Sequence, residues 1–409
     1  MQSPAVGLIV PEITRENTKS ARYLDDMRRI LTMNRAILTD YLNSLKERGI
    51  PGCDCAVYLD HKPVFRHITG YSDPDMKKTL SDNTTYWLYS ATKLITCTAT
   101  MQLVDQGLIG LDDPVSNYLP EYKNMKIKEG STTRPAKNPI TIRHLMSMQS
   151  GLNYELELPS ILKIQEASNY EASTRQVIEA LAKEPLDFEP GTRFQYSLSH
   201  DVLAAVVEVV SGKQFGVYLD ENIFQPLGMK NTGFKLTPDR KANMSGLFEY
   251  HMDTMKSTPV PNKNRYFLTK NFESGGAGLI STVDDYILFL DAMCNKGIST
   301  DGYTVLSMKA IDMMREDQLR GNSRKDFDAW NRKGYSYGLG VRTLVERDKS
   351  GARSPLGEFG WDGAAGAYAI IDVQNRLAVF YVQHVLNCEY AYGVIHPKIR
   401  DLTYEMLGL

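Results

Sequence analysis

The chain has 409 residues, of which 42% are hydrophobic, and a formal net charge of -2 with acids and bases mixed along its length. That is enough for a real core, in two or three small domains or one large two-part domain. No basic stripe is present, which argues against nucleic acid as a partner, and no run approaches the roughly 18 apolar residues of a membrane span.

Met1 to Lys19 lacks the basic stretch and apolar core of a secretory signal, so a cytoplasmic location is expected. Five cysteines, Cys53, Cys55, Cys97, Cys294 and Cys388, form no CxxC pair. They are expected to be reduced, structural thiols. His144, His200 and His384 have no metal-like spacing, and neither a metal nor an organic cofactor is implied.

The periodicity predicts a long amphipathic helix over 17–46, with Tyr23, Met27, Ile30, Ile37, Leu38, Leu42 and Leu45 on one stripe. Gly49, Pro51 and Gly52 end it. Strands follow at 55–59 and 64–68, joined through Asp60-His61-Lys62 as a hairpin.

An aromatic stretch, Tyr86-Trp87-Leu88-Tyr89, leads into Ser90-Ala91-Thr92-Lys93 and then an apolar helix. A serine three residues before a lysine on a helix puts both on one face, so an amine can take the hydroxyl proton. The spacing alone is weak: about two chance matches are expected in a chain of this size, and Ser160-Ile161-Leu162-Lys163 is one. Context separates them. Ser90 sits where an extended segment becomes a helix, whose free N–H groups can stabilise an oxyanion.

Residues 96–235 look mostly helical, including 177–181 and 202–210, with loop around 192–196. Asp112-Asp113 before Pro114 is expected to make a turn and cap. Residues 275–281 look like a Gly-rich strand, 284–294 a helix, and 337–343 a strand. A second hairpin joins 367–373 to 377–383, and a closing helix lies within 390–407. The predicted fold class is α/β of the α+β type: an antiparallel sheet from both chain ends (15–95 and 260–409), flanked by terminal helices, with a mostly helical domain (96–259) inserted.

Two distant segments add chemistry. Tyr196 lies in a loop ahead of an apolar helix, and a neighbouring Lys93 ammonium is expected to lower its pKa and favour a phenolate. In 359–366, Trp361-Asp362-Gly363-Ala364-Ala365-Gly366 precedes a strand with little side-chain bulk. Such an edge can approach a substrate and offer backbone N–H groups. Trp361 and Gly363 are expected on one side and Asp362 on the other.

With these segments in place the chain resembles the penicillin-recognising serine hydrolases, in particular the class C beta-lactamase-like branch with its family VIII carboxylesterases. The resemblance runs from about residue 52 to 383. Ser90-Ala91-Thr92-Lys93 is similar to the Ser-x-x-Lys motif. Tyr196-Ser197, after Glu189-Pro190-Gly191, is similar to Tyr-x-Asn, and Trp361-Asp362-Gly363 to the third motif. Spacers at 107–115, 141–152 and 275–282 match as well. The resemblance implies Ser90 as the acylated nucleophile, Lys93 and Tyr196 as the acid/base pair, and the Ser90 and Ala364 N–H groups as the oxyanion hole. Trp361, Gly363 and Leu198 are expected to bind substrate, and Tyr154, Tyr170 and Tyr250 to line the acyl pocket.

There are two departures. Leu198 replaces the asparagine of the second motif, and Trp361 replaces the cation that begins the third. Both point to ester or other neutral small-molecule substrates rather than beta-lactams, and the activity expected is that of a serine carboxylesterase on esters of short or medium acyl length. A beta-lactamase or D-amino-acid peptidase or amidase, an acyltransferase, and a non-catalytic sensor on the same scaffold remain alternatives. No oligomeric state is read from the sequence.

Overall fold

The computed structural model describes residues 33–409 except Pro74 and Met76. Its first element is helix α1, Arg35–Ser44, continued by a 3₁₀ turn at Leu45–Arg48 that Gly49 ends in the left-handed conformation. Leu38, Leu42 and Leu45 are buried, on the stripe expected for 17–46. The earlier part of that expected helix lies outside the described residues.

Strands β1 (Gly52–Leu59) and β2 (Lys62–Gly70) make the expected hairpin. Asp60 and His61 turn it with φ of 50° and 64°, as the twist of a tight hairpin requires. Helix α2, Thr92–Asp105, is buried all round from Thr92 to Leu103. Its threonines are tolerated there because Thr96, Thr98 and Thr100 bond the carbonyl four residues back. Helix α3, Ser199–Ser211, packs on α2, and Thr174–Leu181 packs on α3.

Helix α4 (Val283–Cys294) returns the chain to the sheet. Strands β3 (Tyr335–Tyr337), β4 (Arg342–Leu344), β5 (Phe359–Gly360), β6 (Tyr368–Asp372) and β7 (Leu377–Val382) follow, and helix α5 (His396–Leu407) closes the chain. The seven strands run in the order β2-β1-β7-β6-β5-β4-β3, each pair antiparallel. Strand β7 shows why two layers cover this sheet. Leu377, Val379 and Tyr381 pack with α1 and α5, while Ala378, Phe380 and Val382 face the core that contains α4. That larger core continues into the helical middle region, with Phe380, Leu203 and Val177 in one cluster.

Some segments depart from the sequence reading. Only Ile280–Ser281 of 275–281 is strand; Gly275 to Ala277 turn. The glycines are needed for contact: a Cβ on Gly275 would lie 2.4 Å from the His200 carbonyl oxygen. The expected strand 337–343 is a hairpin, broken where Gly340 passes Cys97 at φ 83°. Two hairpins were not anticipated, Lys126–Glu129 with Thr132–Pro135, and Leu247–His251 with Lys256–Val260. The second pairs with Val385–Leu386 near the C-terminus. Among the described residues no single helix is long and apolar enough to cross a membrane.

Candidate active site

Ser90 is fixed from two sides. Tyr86–Trp87 pairs with Ile280–Ser281, and the Leu88 N–H donates to the Leu279 carbonyl. Tyr89 then takes a positive φ of 47°, a conformation that costs free energy in a bulky residue and recurs at functional sites. It turns the chain into α2. The Tyr286 hydroxyl holds the Ala91 carbonyl and the Thr92 hydroxyl accepts from the Leu279 N–H.

Lys93 is wholly buried. Its Nζ lies 3.2 Å from Ser90 Oγ, 3.2 Å from the Tyr154 hydroxyl and 2.6 Å from the Gly276 carbonyl oxygen. Burial pushes its pKa down to about 7, opposed in part by the Asp201 carboxylate and Cys97. The contrast with the second Ser-x-x-Lys is plain. Ser160 Oγ is buried without a partner among the described residues, and Lys163 is exposed.

Asp201 explains how the Gly276 carbonyl is aimed. Its Oδ1 accepts from the Ser274 hydroxyl at 2.5 Å and the Gly276 N–H at 3.2 Å. Gly276 has no room for a side chain, since a Cβ would lie 2.6 Å from Asp201 Oδ2. Burial raises the Asp201 pKa, against the pull of Ser274, Lys93 and Gly276.

Tyr196 comes to the same point. The Lys93 ammonium sits over its ring, 4.5 Å from the centroid, and the Trp361 indole N–H donates to its hydroxyl at 3.0 Å. Burial raises the Tyr196 pKa, with bonds from Ser90 and Trp361 as the largest opposing effects. The expected phenolate is therefore corrected: the cation meets the π face, not the oxygen, and desolvation dominates. Burial favours its neutral phenol form.

The third segment lies against the first. A Cβ on Gly363 would fall 2.3 Å from the Leu88 carbonyl oxygen, so only glycine lets this strand approach. Trp361 faces Tyr196, while Asp362 points away to Arg332 and Arg342, at 2.5 and 2.9 Å. Ala364 follows, with its carbonyl held by the Tyr392 hydroxyl at 3.1 Å.

A family model described as Beta-lactamase matches residues 34–389. The chain belongs to the beta-lactamase family. It is a serine hydrolase. Esterase EstB of Burkholderia gladioli is 28% identical over 388 residues, 88% of this chain and 92% of the esterase. Monacolin J acid methylbutanoyltransferase of Aspergillus terreus is 28% identical over 296 residues, 69% of this chain and 70% of the transferase. Among solved structures, EstCE1, a hydrolase with promiscuous acyltransferase activity, shares the fold with a TM-score of 0.73 at 23% identity, covering 94% of this chain and all of its own.

In this beta-lactamase-family chain the structure brings Ser90, Lys93, Tyr196, Trp361, Gly363 and Ala364 together. Leu198 is different: it is buried in the main core just before α3, its N–H donating to the Asn153 carbonyl. Tyr170 is exposed on the surface and Tyr250 is buried with its hydroxyl on the Arg48 carbonyl, so neither lines an acyl pocket. Tyr154 instead joins the cluster around Lys93. It stacks on Tyr196 at 5.4 Å and meets Tyr266 edge-on.

Three contributors were not anticipated. Trp330 packs edge-on against Tyr196 at 5.3 Å, Tyr266 adds an aromatic wall, and Arg332 lies 5.2 Å from the Trp361 ring centroid. The only signal in the sequence was a tryptophan set in the polar run 325–333. Asp112 and Asp113 are structural, pairing with Arg143 and with Gly110 and Tyr118. All five cysteines are free and buried. Among the described residues no group of three or more His, Cys, Asp or Glu could hold a metal ion.

Proposed function

We propose that this chain is a carboxylesterase working through an acyl-enzyme on neutral esters of short or medium acyl length. The observation that carries the reading is the Lys93 amine, 3.2 Å from Ser90 Oγ with its pKa brought down to about 7. At neutral pH a large fraction of this lysine is an uncharged amine that can accept the serine proton. Ser90 Oγ attacks the ester carbonyl, the new Oγ–C bond forms, and the carbonyl oxygen becomes an oxyanion between the Ser90 and Ala364 N–H groups. The C–O bond to the alcohol then breaks as the leaving oxygen takes the proton that Ser90 gave to Lys93, with the Tyr196 hydroxyl beside Ser90 as its hydrogen-bond partner. Water repeats the sequence and releases the acid.

Trp361 orients the Tyr196 hydroxyl and, with Trp330, Tyr154 and Tyr266, makes an aromatic cleft suited to an uncharged acyl or alcohol group. The buried free thiols support a reducing compartment such as the cytoplasm. Ser90→Ala tests the reading: hydrolysis of p-nitrophenyl acetate is expected to fall at least about 10³-fold. Retention of most of the wild-type rate would reject it. Nitrocefin turnover comparable with the best ester would instead favour a beta-lactamase.

A second reading, an acyltransferase, is favoured by the similarity to a methylbutanoyltransferase over 69% of this chain. It uses the same acyl-enzyme, with an alcohol in place of water. Product analysis with added alcohols separates the two.

A further inference from the structure

Side chains on 361–363 alternate about the strand. Trp361 meets Tyr196, and Asp362 turns into a separate cavity of about 840 Å³. Four cationic side chains line that cavity, Arg332, Lys333, Arg342 and Arg400, against two carboxylates, Asp362 and Glu389. Asp362 is shared by Arg332 and Arg342. Arg342 also faces the buried Glu358 and donates to the Ala369 carbonyl, and Arg400 is held by Asp401, so the cations with donors to spare, among the described residues, are Arg332 and Lys333. The two ion pairs also show on Asp362 itself. Burial would push this carboxyl up, yet Arg332 and Arg342 hold it down to about 2.

His396 supplies the second observation. It is 1% exposed, stacked on Tyr368 at 4.4 Å, and lines the same cavity. It lies near the Gly366 backbone, but among the described residues neither ring nitrogen has a hydrogen-bond partner of ordinary geometry. A buried imidazole left in that state costs free energy that a ligand oxygen would recover. The geometry points to a binding site for a small oxyanion of two or more charges, a di- or tricarboxylate or a phosphate group, held by Arg332, Lys333 and His396 on the face of the strand opposite Ser90.

A cation would meet Arg332 and Lys333, and an apolar ligand would strip water from them without replacing their partners. The site is tied to the catalytic strand. Tyr392 lines it and donates to the Gly363 and Ala364 carbonyls at 3.0 and 3.1 Å. Trp330 lines it too, and Arg332 covers the Trp361 ring. Two of the chain's three tryptophans therefore touch the site or its arginine.

Tryptophan emission of the full chain, titrated with inorganic phosphate and separately with citrate, tests this. Ser90 is first blocked with a serine-directed phosphonate, so that the acyl cleft is filled. A saturable change is expected with at least one anion, unaffected by the block and weakened by added KCl. Arg332→Gln and His396→Phe are each expected to weaken it about tenfold; the phenylalanine keeps the stack on Tyr368. Should either variant fail to fold, Lys333→Gln at an exposed position is expected to weaken binding at least about threefold. The phosphate and citrate arms tell a phosphate site from a carboxylate site. The proposal is overturned if neither anion gives a saturable response, if the block abolishes it, or if the folded variants bind as tightly as wild type.

Discussion

The ammonium of Lys93 lies over the ring of Tyr196, 4.5 Å from its centroid, while the Tyr196 hydroxyl is taken by the Trp361 indole. This division assigns different proton affinities to two neighbouring groups. Burial lowers the lysine to about 7 and raises the phenol. Of the two, only the lysine changes protonation near neutral pH.

The pH profile follows. A base must be uncharged to act, so kcat/KM for an ester is expected to rise with pH and reach half its maximum near 7. A profile flat from pH 5.5 to 9 would contradict the assignment of Lys93 as the base.

Asp201 sets where that limb falls. Its carboxylate favours the charged form of Lys93, so Asp201→Asn is expected to move the limb to lower pH while keeping an acceptor for Ser274 and Gly276. The measurement is the kcat/KM profile of the variant beside wild type. A limb that stays in place would leave Asp201 with no electrostatic influence on the base.

Lys93 also burdens stability. Its folded pKa lies below the unfolded value of about 10.4, so between pH 7 and 10 the unfolded chain binds the extra proton and wild-type stability rises with pH. At pH 7 and below the cost is present almost in full, on the order of a few kcal/mol. Lys93→Met is therefore expected to be inactive yet more stable at pH 7, with an advantage that shrinks toward pH 10. Denaturant unfolding at the two pH values decides it; a variant less stable at pH 7 with the wild-type pH slope would refute the argument.

Gly363→Ala probes the strand contact. The added methyl would sit 2.3 Å from the Leu88 carbonyl oxygen, which is expected to shift this strand and with it the Ala364 N–H proposed as an oxyanion donor. Labelling by a serine-directed phosphonate is expected to slow about 10²-fold, as when one oxyanion donor is lost. Unchanged labelling would mean that Ala364 is not such a donor.

Periodicity served best where burial was one-sided. Leu38, Leu42 and Leu45 on α1, and the alternation along β7, could be read without coordinates because one face of each meets the core. Residues 275–281 misled because glycines there serve a close approach to His200 and Asp201, not a strand. Residues 337–343 misled because the apolar Leu339 and Val341 flank the turning Gly340. The three motifs were legible as motifs. The field around them was not: Arg332 and Trp330 come from a polar segment whose place depends on β3 and β4, and the direction of the Tyr196 shift is set by burial, which only the packed structure fixes.

The sheet joins β1 to β7, some 320 residues later in the chain. Ser90 and Lys93 leave the ribosome well before the segment carrying Trp361 and Ala364 is made. Through that interval the hydroxyl exists without the elements proposed to make it reactive. On the proposed mechanism, competence waits for β5 to β7 to dock, and a product cut short before Trp361 is expected to carry an inert serine.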